Sequence, residues 1–317
     1  MDMFTMSLPS LLVLPFSSSF ASTAILNNVL QLIVFMLTAN IPCLMTGRMS
    51  YVDIAWPWGL VTIGLMPSLS SATQTGLRAK LVSGAYLVAG GRMAFGGAIA
   101  LFTGRFQTEF PRYLYQRLNW AKEGIKDETS MKFQLVMQKE ILVQCFANMG
   151  ALCMPMMLQA FGYMTGELTW LEVAGWTMWV VAIMFEHTAD KQKKAFVKEC
   201  TEKKIKNAVC DVGLWRYSRH PNYFGEWMVW NSLIITSLPS LMALWATEKE
   251  SLVVKCIVTG GLMSVSWMMY QCLVNYTGAV PAEFYTVQKR PEYVNYQKKV
   301  NMFVPGPRKE EEGTKSE

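Results

Sequence analysis

The chain has 317 residues, 52% of them hydrophobic and 16% charged, where an average soluble domain carries about a quarter of its residues as charges. That balance, with apolar runs of membrane-spanning length, predicts a polytopic membrane protein and excludes a highly charged soluble domain. The net charge of +6 is concentrated in a few loops, which suits orientation in a bilayer rather than nucleic-acid binding.

In chain order, the start is Met-Asp with no basic stretch, and the short Leu11–Phe16 run makes a poor signal peptide. Seven spans are predicted, at about 24–46, 51–69, 80–103, 133–163, 169–187, 223–245 and 252–276. Asn27, Asn28, Gln31 and Asn40 interrupt the first, so one face meets other helices or a polar cavity. Asp53 lies near one end of the second span and Arg92 near the middle of the third; the two could pair and pin those helices. Glu140 lies in the early turns of the fourth. Segment 190–220 carries nine Lys/Arg against four Asp/Glu, which places it in the cytosol and the N-terminus on the lumenal side. Arg78 and Lys80 are exceptions to that pattern. From Pro281 to Asn301 the chain reads as a cytosolic helix against the membrane face. The expected organisation is one integral-membrane domain over 1–304 and a disordered cytosolic tail over 305–317.

The seven cysteines make no Cys-x-x-Cys pair and read as small buried residues. Only His187 and His220 are present, far apart, so no metal site is expected. There is no Gly-x-Gly-x-x-Gly and no Walker loop, so any nucleotide is held by another device.

The remaining chemistry converges on Gly213-Leu-Trp-Arg-Tyr-Ser-Arg-His-Pro-Asn-Tyr-Phe-Gly-Glu226. A basic loop ends there and an apolar helix begins, with Pro221 in its first turn. Arg216, Arg219 and His220 sit beside the helix N-terminus, where an anion is favoured. Asn222 and Glu226, four apart, share one face, as do Glu186 and Asp190 at the end of the preceding span. Two polar pairs flanked by basic loops could clasp one polar ligand; ordinary headgroup anchoring by the cations is the plainer alternative.

Arg219-His-Pro-Asn-Tyr-Phe-Gly-Glu226 resembles the signature of the steroid 5-alpha-reductase-like membrane oxidoreductases and the core shared by sterol C14- and C7-reductases. Phe185–Gln192, Glu292–Gln297, Phe303–Pro305 and Ser50–Trp56 extend the resemblance. It implies an all-α membrane bundle, in the endoplasmic reticulum by analogy, that transfers a hydride from NADPH to an activated C=C bond of a lipophilic substrate. Residues matching Asp190, Asn222 and Glu226 would hold the nicotinamide cofactor, joined on the present reading by Glu186, Tyr223 and Tyr285. Arg216, Tyr217, Arg219 and His220 would lie near its phosphates and ribose. Asp53 resembles the catalytic carboxylate. The family's tyrosine precedes an arginine by three, where this chain has Ala89 before Arg92; Tyr51 and Tyr86 are the nearby candidates.

A rival resemblance is to membrane methyltransferases of the isoprenylcysteine and phospholipid type, which would use S-adenosylmethionine. Their usual C-terminal Glu-Glu pair is matched here only by Ala282-Glu283, and they tend to lack the carboxylate after the motif glycine that Glu226 supplies. A non-catalytic membrane protein of the same fold is the third reading. The partners expected are the bilayer and a lipophilic small molecule, with no nucleic acid and no protein partner predicted.

Overall fold

A computed structural model describes residues 19–73 and 76–309. Among them there is no β-strand, and the predicted all-helical membrane bundle is what the chain forms. Among the described residues, six helical stretches are long and apolar enough to cross a membrane: Phe20–Thr46, Met49–Leu69, Leu77–Phe102, Met131–Ala160, Pro221–Ala246 and Leu252–Lys289. The seventh expected span lies in the helix Trp170–Glu202, long enough at 33 residues. Glu172, Glu186 and three tryptophans dilute its apolar half. Side chains such as Phe95 (71% exposed) and Phe102 (89%) stand on the outside of their helix. Water would not favour that arrangement, and a lipid surround does.

The helices are α1 (Ser19–Phe35), α2 (Ile41–Thr46), α3 (Val52–Leu69), α4 (Leu77–Phe102), α5 (Pro111–Lys122), α6 (Met131–Ala147) and α7 (Met154–Ala160). They continue as α8 (Trp170–Glu202), α9 (Pro221–Ala246), α10 (Leu252–Tyr270), α11 (Ala279–Lys289) and α12 (Tyr293–Lys299). Wider π-helical turns follow α1 at Met36–Asn40, α6 at Asn148–Leu152 and α10 at Gln271–Tyr276. Two compact units result. The first takes the described residues up to Val173 with Leu233–Val265, and the second takes Ala174–Ser232 with the described residues from Ser266 onward.

Small residues set the packing in the first unit. A methyl group on Gly90 of α4 would lie 2.8 Å from Leu60 Cβ and 3.0 Å from the Pro57 carbonyl on α3. Close backbone approach of this kind is how helices associate where lipid removes the hydrophobic drive. The amides expected on one face of the first span are buried as helix glue. Gln31 Nε2 donates to the Gly59 carbonyl at 3.0 Å and to Thr62 at 2.9 Å, and Asn148 donates to Gln31 Oε1 at 3.1 Å. Arg78, the exception in the charge pattern, is also explained. Its guanidinium makes a forked, buried pair with Glu172 at 2.5 and 2.9 Å and donates to the Gly166 and Glu167 carbonyls.

The second unit is tied together by the C-terminal segment. Arg219 N donates to the Asn301 carbonyl at 2.9 Å, Ser218 Oγ to the Phe303 carbonyl at 2.8 Å, and Gly306 N to the Tyr217 carbonyl at 3.0 Å. Phe303 packs edge-on against Tyr270, Trp227 and Phe224, at 5.3, 5.8 and 5.8 Å between ring centroids. One expectation changes here: Pro281 to Asn301 is broken at Arg290-Pro291 into α11 and α12, which bury Glu283, Tyr293 and Tyr296. Residues 305–309 are among those described, where Lys309 N–H donates to the Lys299 carbonyl at 2.9 Å and Arg308 pairs with Asp211 at 2.9 Å. Residues 310–317 and the Leu11–Phe16 run lie outside the described residues.

Candidate functional site

In the second unit, α8 and the start of α9 approach closely because Gly225 has no side chain. A Cβ there would sit 2.9 Å from Glu186 Cβ and 3.0 Å from the Glu186 backbone. That approach brings the two polar pairs together: Asn222 Nδ2 donates to Asp190 Oδ1 at 3.1 Å. Asn222 Oδ1 is buried and has no partner among the described residues. Glu186 is buried on α8 and Glu226 is half-buried on α9.

The loop before α9 is anchored to α8. Gln192 Oε1 accepts from Leu214 N at 2.8 Å, and the Trp215 indole donates to the Ala189 carbonyl at 2.9 Å. Gly213, at φ +52°, allows the turn, since a side chain there would collide with Gln192 at 2.4 Å. These anchors and the C-terminal segment enclose a pocket of about 320 Å³. Its wall includes Lys193, Trp215, His220, Asn222, Arg290 and Tyr293.

Arg219 is engaged within the protein. Its guanidinium is buried and forked onto Glu283 at 2.7 and 3.1 Å, and its remaining group donates to the Gln297 and Val300 carbonyls at 2.9 and 2.7 Å. A buried guanidinium needs such partners, and with them Arg219 braces the wall of the pocket that it lines. Glu283 also accepts from His220 Nε2 at 3.0 Å, Gln297 Nε2 at 2.6 Å and the Tyr293 hydroxyl at 3.3 Å. Burial holds the His220 pKa below its ordinary value, so the ring is neutral at pH 7 and gives its proton to that hydrogen bond. Tyr223 stacks flat on His220, with centroids 5.2 Å apart. Arg216 and Tyr217 are exposed, and neither they nor Tyr285 line the pocket.

The expected catalytic residues lie in the first unit. Asp53 is held by an ion pair with Arg112 and accepts from the Tyr113 hydroxyl at 2.7 Å. Tyr51 packs half-buried against Phe106. Tyr86 is fully buried and gives its hydroxyl proton to the Leu152 carbonyl. On the antiparallel pair α3–α4, Gly97 faces Asp53 and Gly64 faces Tyr86. From 53 to 64 is eleven residues of helix, roughly 16 Å, so Asp53 and Tyr86 do not meet. The tyrosine that donates to Asp53 is Tyr113, on α5, which lies between the third and fourth predicted spans.

Residues 41–300 match the family described as protein of unknown function DUF1295. The chain belongs to that family. This DUF1295 chain is also 37% identical over 75 residues to the Delta(14)-sterol reductase ERG24 of Saccharomyces cerevisiae. That stretch is 20% of this chain and 16% of the yeast enzyme, so the chain spans only a small part of the relative it matches. No solved structure matches.

The pocket has contributors that the sequence reading passed over: Lys193, Trp215, Tyr293 and Arg290. Lys193 stands three residues past Asp190, hence one turn along the same helix face, and that spacing was available as a signal. Nothing local marks Glu283 as the hub for Arg219 and His220, which are 64 and 63 residues away.

Proposed function

We propose that this protein is a membrane oxidoreductase, similar to the steroid 5-alpha-reductase-like enzymes, that uses NADPH to reduce an activated C=C bond of a lipophilic substrate. The observation that carries the reading is the second-unit pocket, built from the His220-Pro-Asn-Tyr223 motif and walled by aromatic rings and cations. The residues present fit a nicotinamide nucleotide. Asn222 has an unfilled amide oxygen, the complement of a carboxamide N–H₂ group, and Asp190 fixes which way that amide points. Trp215, Tyr223, Tyr293 and Tyr296 offer flat surfaces to planar rings. Bound NADPH would supply the hydride; the chain binds and orients the nucleotide. In the first unit, the carboxylate–hydroxyl couple Asp53–Tyr113 is the group suited to holding a carbonyl oxygen or moving a proton. The likeness to a sterol reductase supports the reductase reading over methyl transfer. So does Glu283, whose oxygens are occupied by Arg219, His220, Gln297 and Tyr293, which leaves little capacity for the amino group of S-adenosylmethionine.

The test is the melting temperature of detergent-purified protein with NADPH, NADH and S-adenosylmethionine in parallel, because a ligand bound by the folded state raises it. A shift with NADPH and none with S-adenosylmethionine is expected. A shift with S-adenosylmethionine alone would make the protein a methyltransferase. No shift in a folded sample would leave it a non-catalytic membrane protein.

A further inference from the structure

We propose that Glu109 is a positioning residue that clamps the turn before α3 and so fixes Asp53 against Tyr113. The proposal rests on the reductase reading above for the use of that couple, and adds the group that sets its geometry.

A short 3₁₀ turn, Met49–Tyr51, leads into α3, and the N–H groups that open a helix have no partner within it. Glu109 supplies one from 60 residues away: its carboxylate accepts from Met49 N at 2.8 Å and from Ser50 N at 2.9 Å. The Ser50 hydroxyl also donates to Glu109, at 2.5 Å, and accepts in return from Phe110 N at 2.8 Å. Residues 49–50 and 109–110 therefore lock each other. Asp53 follows Ser50 by three positions in the first turn of α3, and Tyr113 follows Phe110 by three in the first turn of α5. Three residues are nearly one helical turn, roughly 4.5 Å, so the register set at the lock reaches the couple with little slack. Ser50 is fully buried, and its place in the Ser50–Trp56 motif is accounted for by this exchange of bonds.

The charges are arranged to keep the lock and the couple apart. The Glu109 side chain is 7% exposed and pairs with Arg117 at 2.8 Å, and Arg117 is itself tied to the Gly47 carbonyl at 2.5 Å. Asp53 has a separate cation, Arg112. Glu109 thus holds the turn without competing for the group that balances Asp53. Burial pushes the Tyr113 pKa well above its ordinary value, and the Asp53 and Glu109 charges push the same way. The phenol therefore keeps its proton and is fixed as a donor, aimed at Asp53 over 2.7 Å. A displacement of about 1 Å in such a couple can cost about 100-fold in rate, which is what the lock prevents.

The test uses full-length protein in detergent with 3-fluorotyrosine in place of Tyr113, so that the ¹⁹F resonance reports the bond to Asp53. The proteins compared are the wild type, Glu109→Gln, Glu109→Asp, Ser50→Ala and Asp53→Asn, with Glu172→Gln as a destabilised control remote from the lock. Glutamine has one acceptor oxygen and turns an N–H₂ group toward the Met49 and Ser50 N–H groups, so it breaks the lock. At equal fractions folded, the resonance in Glu109→Gln and Ser50→Ala is expected to move toward that of Asp53→Asn and to stay in place in Glu172→Gln. An unmoved resonance in both lock variants would overturn the proposal. The second readout is NADPH oxidation driven by a steroidal 4-en-3-one or by a linear long-chain enone. Glu109→Gln should lower kcat by about 10- to 100-fold, with KM for NADPH changed less than about threefold, and Glu109→Asp should fall between it and the wild type. A kcat that falls no further in Glu109→Gln than in Glu172→Gln would make Glu109 a helix cap alone and overturn its positioning role. No turnover of either enone by folded wild type would count against the reductase reading, and the resonance would still decide whether Glu109 sets the Asp53–Tyr113 bond.

Discussion

Among the described residues, each unit of the molecule contains one buried arginine forked onto one buried glutamate, and the two arrangements differ in what surrounds them. In the first unit, Arg78 and Glu172 close on each other, and their remaining bonds go to the Gly166 and Glu167 carbonyls and to Thr169, whose N–H donates to Glu172 at 2.8 Å. In the second unit, Arg219 and Glu283 are as well satisfied, yet they back a pocket whose other cations have no carboxylate partner among the described residues. A buried ion pair is therefore no sign of a site in itself. The sign is the imbalance left beside it: among the described residues, Lys193 and Arg290 have no carboxylate partner and Asn222 Oδ1 has no donor.

The largest effects are expected from opening the two pairs. Glu172→Gln and Glu283→Gln each leave a guanidinium buried with a weaker partner, and full loss of one member of such a pair costs about 3–5 kcal/mol. Both variants should melt well below the wild type, the glutamine versions by less than the alanine versions. They should differ in binding: Glu283→Gln loses nucleotide-induced stabilisation, and Glu172→Gln keeps it when the two are compared at equal fractions folded. Retained binding in Glu283→Gln would mean that the Arg219 brace does not shape the pocket.

A middle-sized effect is expected at the helix contacts. Gly225→Ala puts a methyl group 2.9 Å from Glu186 Cβ, and Gly90→Ala puts one 2.8 Å from Leu60 Cβ; overpacking of this kind costs about 1–3 kcal/mol. Both should lower the melting temperature. Only Gly225→Ala should also weaken nucleotide binding, because it pushes Asn222 away from Asp190. Equal binding in the two variants would separate the motif glycine from the site.

These contrasts show where sequence reading succeeds and where it stops. Apolar runs and breaks located the spans, because burial in lipid constrains every residue of a span at once. The i,i+4 spacing of Glu186 with Asp190 and of Asn222 with Glu226 sets each pair on one helix face, because helical periodicity is local, and across those faces Asn222 meets Asp190. Partnership across 60 or more residues is not local. Arg219 next to a helix N-terminus reads as a phosphate ligand until Glu283 is found behind it. Tyr113 was missed for a related reason: α5 is short and charged, and only the fold returns it to Asp53. Arg78 looked misplaced until Glu172 accounted for it.

The smallest effect on stability is expected at Tyr113 and Asp53. Tyr113→Phe removes one hydroxyl that donates to Asp53 and leaves the Arg112 ion pair in place. The loss of one hydrogen bond beside a retained salt bridge should cost only about 1 kcal/mol of stability. Tyr86→Phe removes a buried hydroxyl bound to the Leu152 carbonyl, and should cost a similar amount. The two variants then part in turnover, read as NADPH oxidation driven by an enone lipid once one is found. If Asp53–Tyr113 handles the proton or the carbonyl oxygen, Tyr113→Phe lowers kcat by about 100-fold or more with NADPH binding unchanged, whereas Tyr86→Phe leaves kcat nearly intact. The opposite ranking would return the role to Tyr86, despite the eleven residues of helix between it and Asp53. Equal and small effects would reduce Asp53, Arg112 and Tyr113 to a brace of the same kind as Arg78 and Glu172, and confine the chemistry legible in this chain to the second unit.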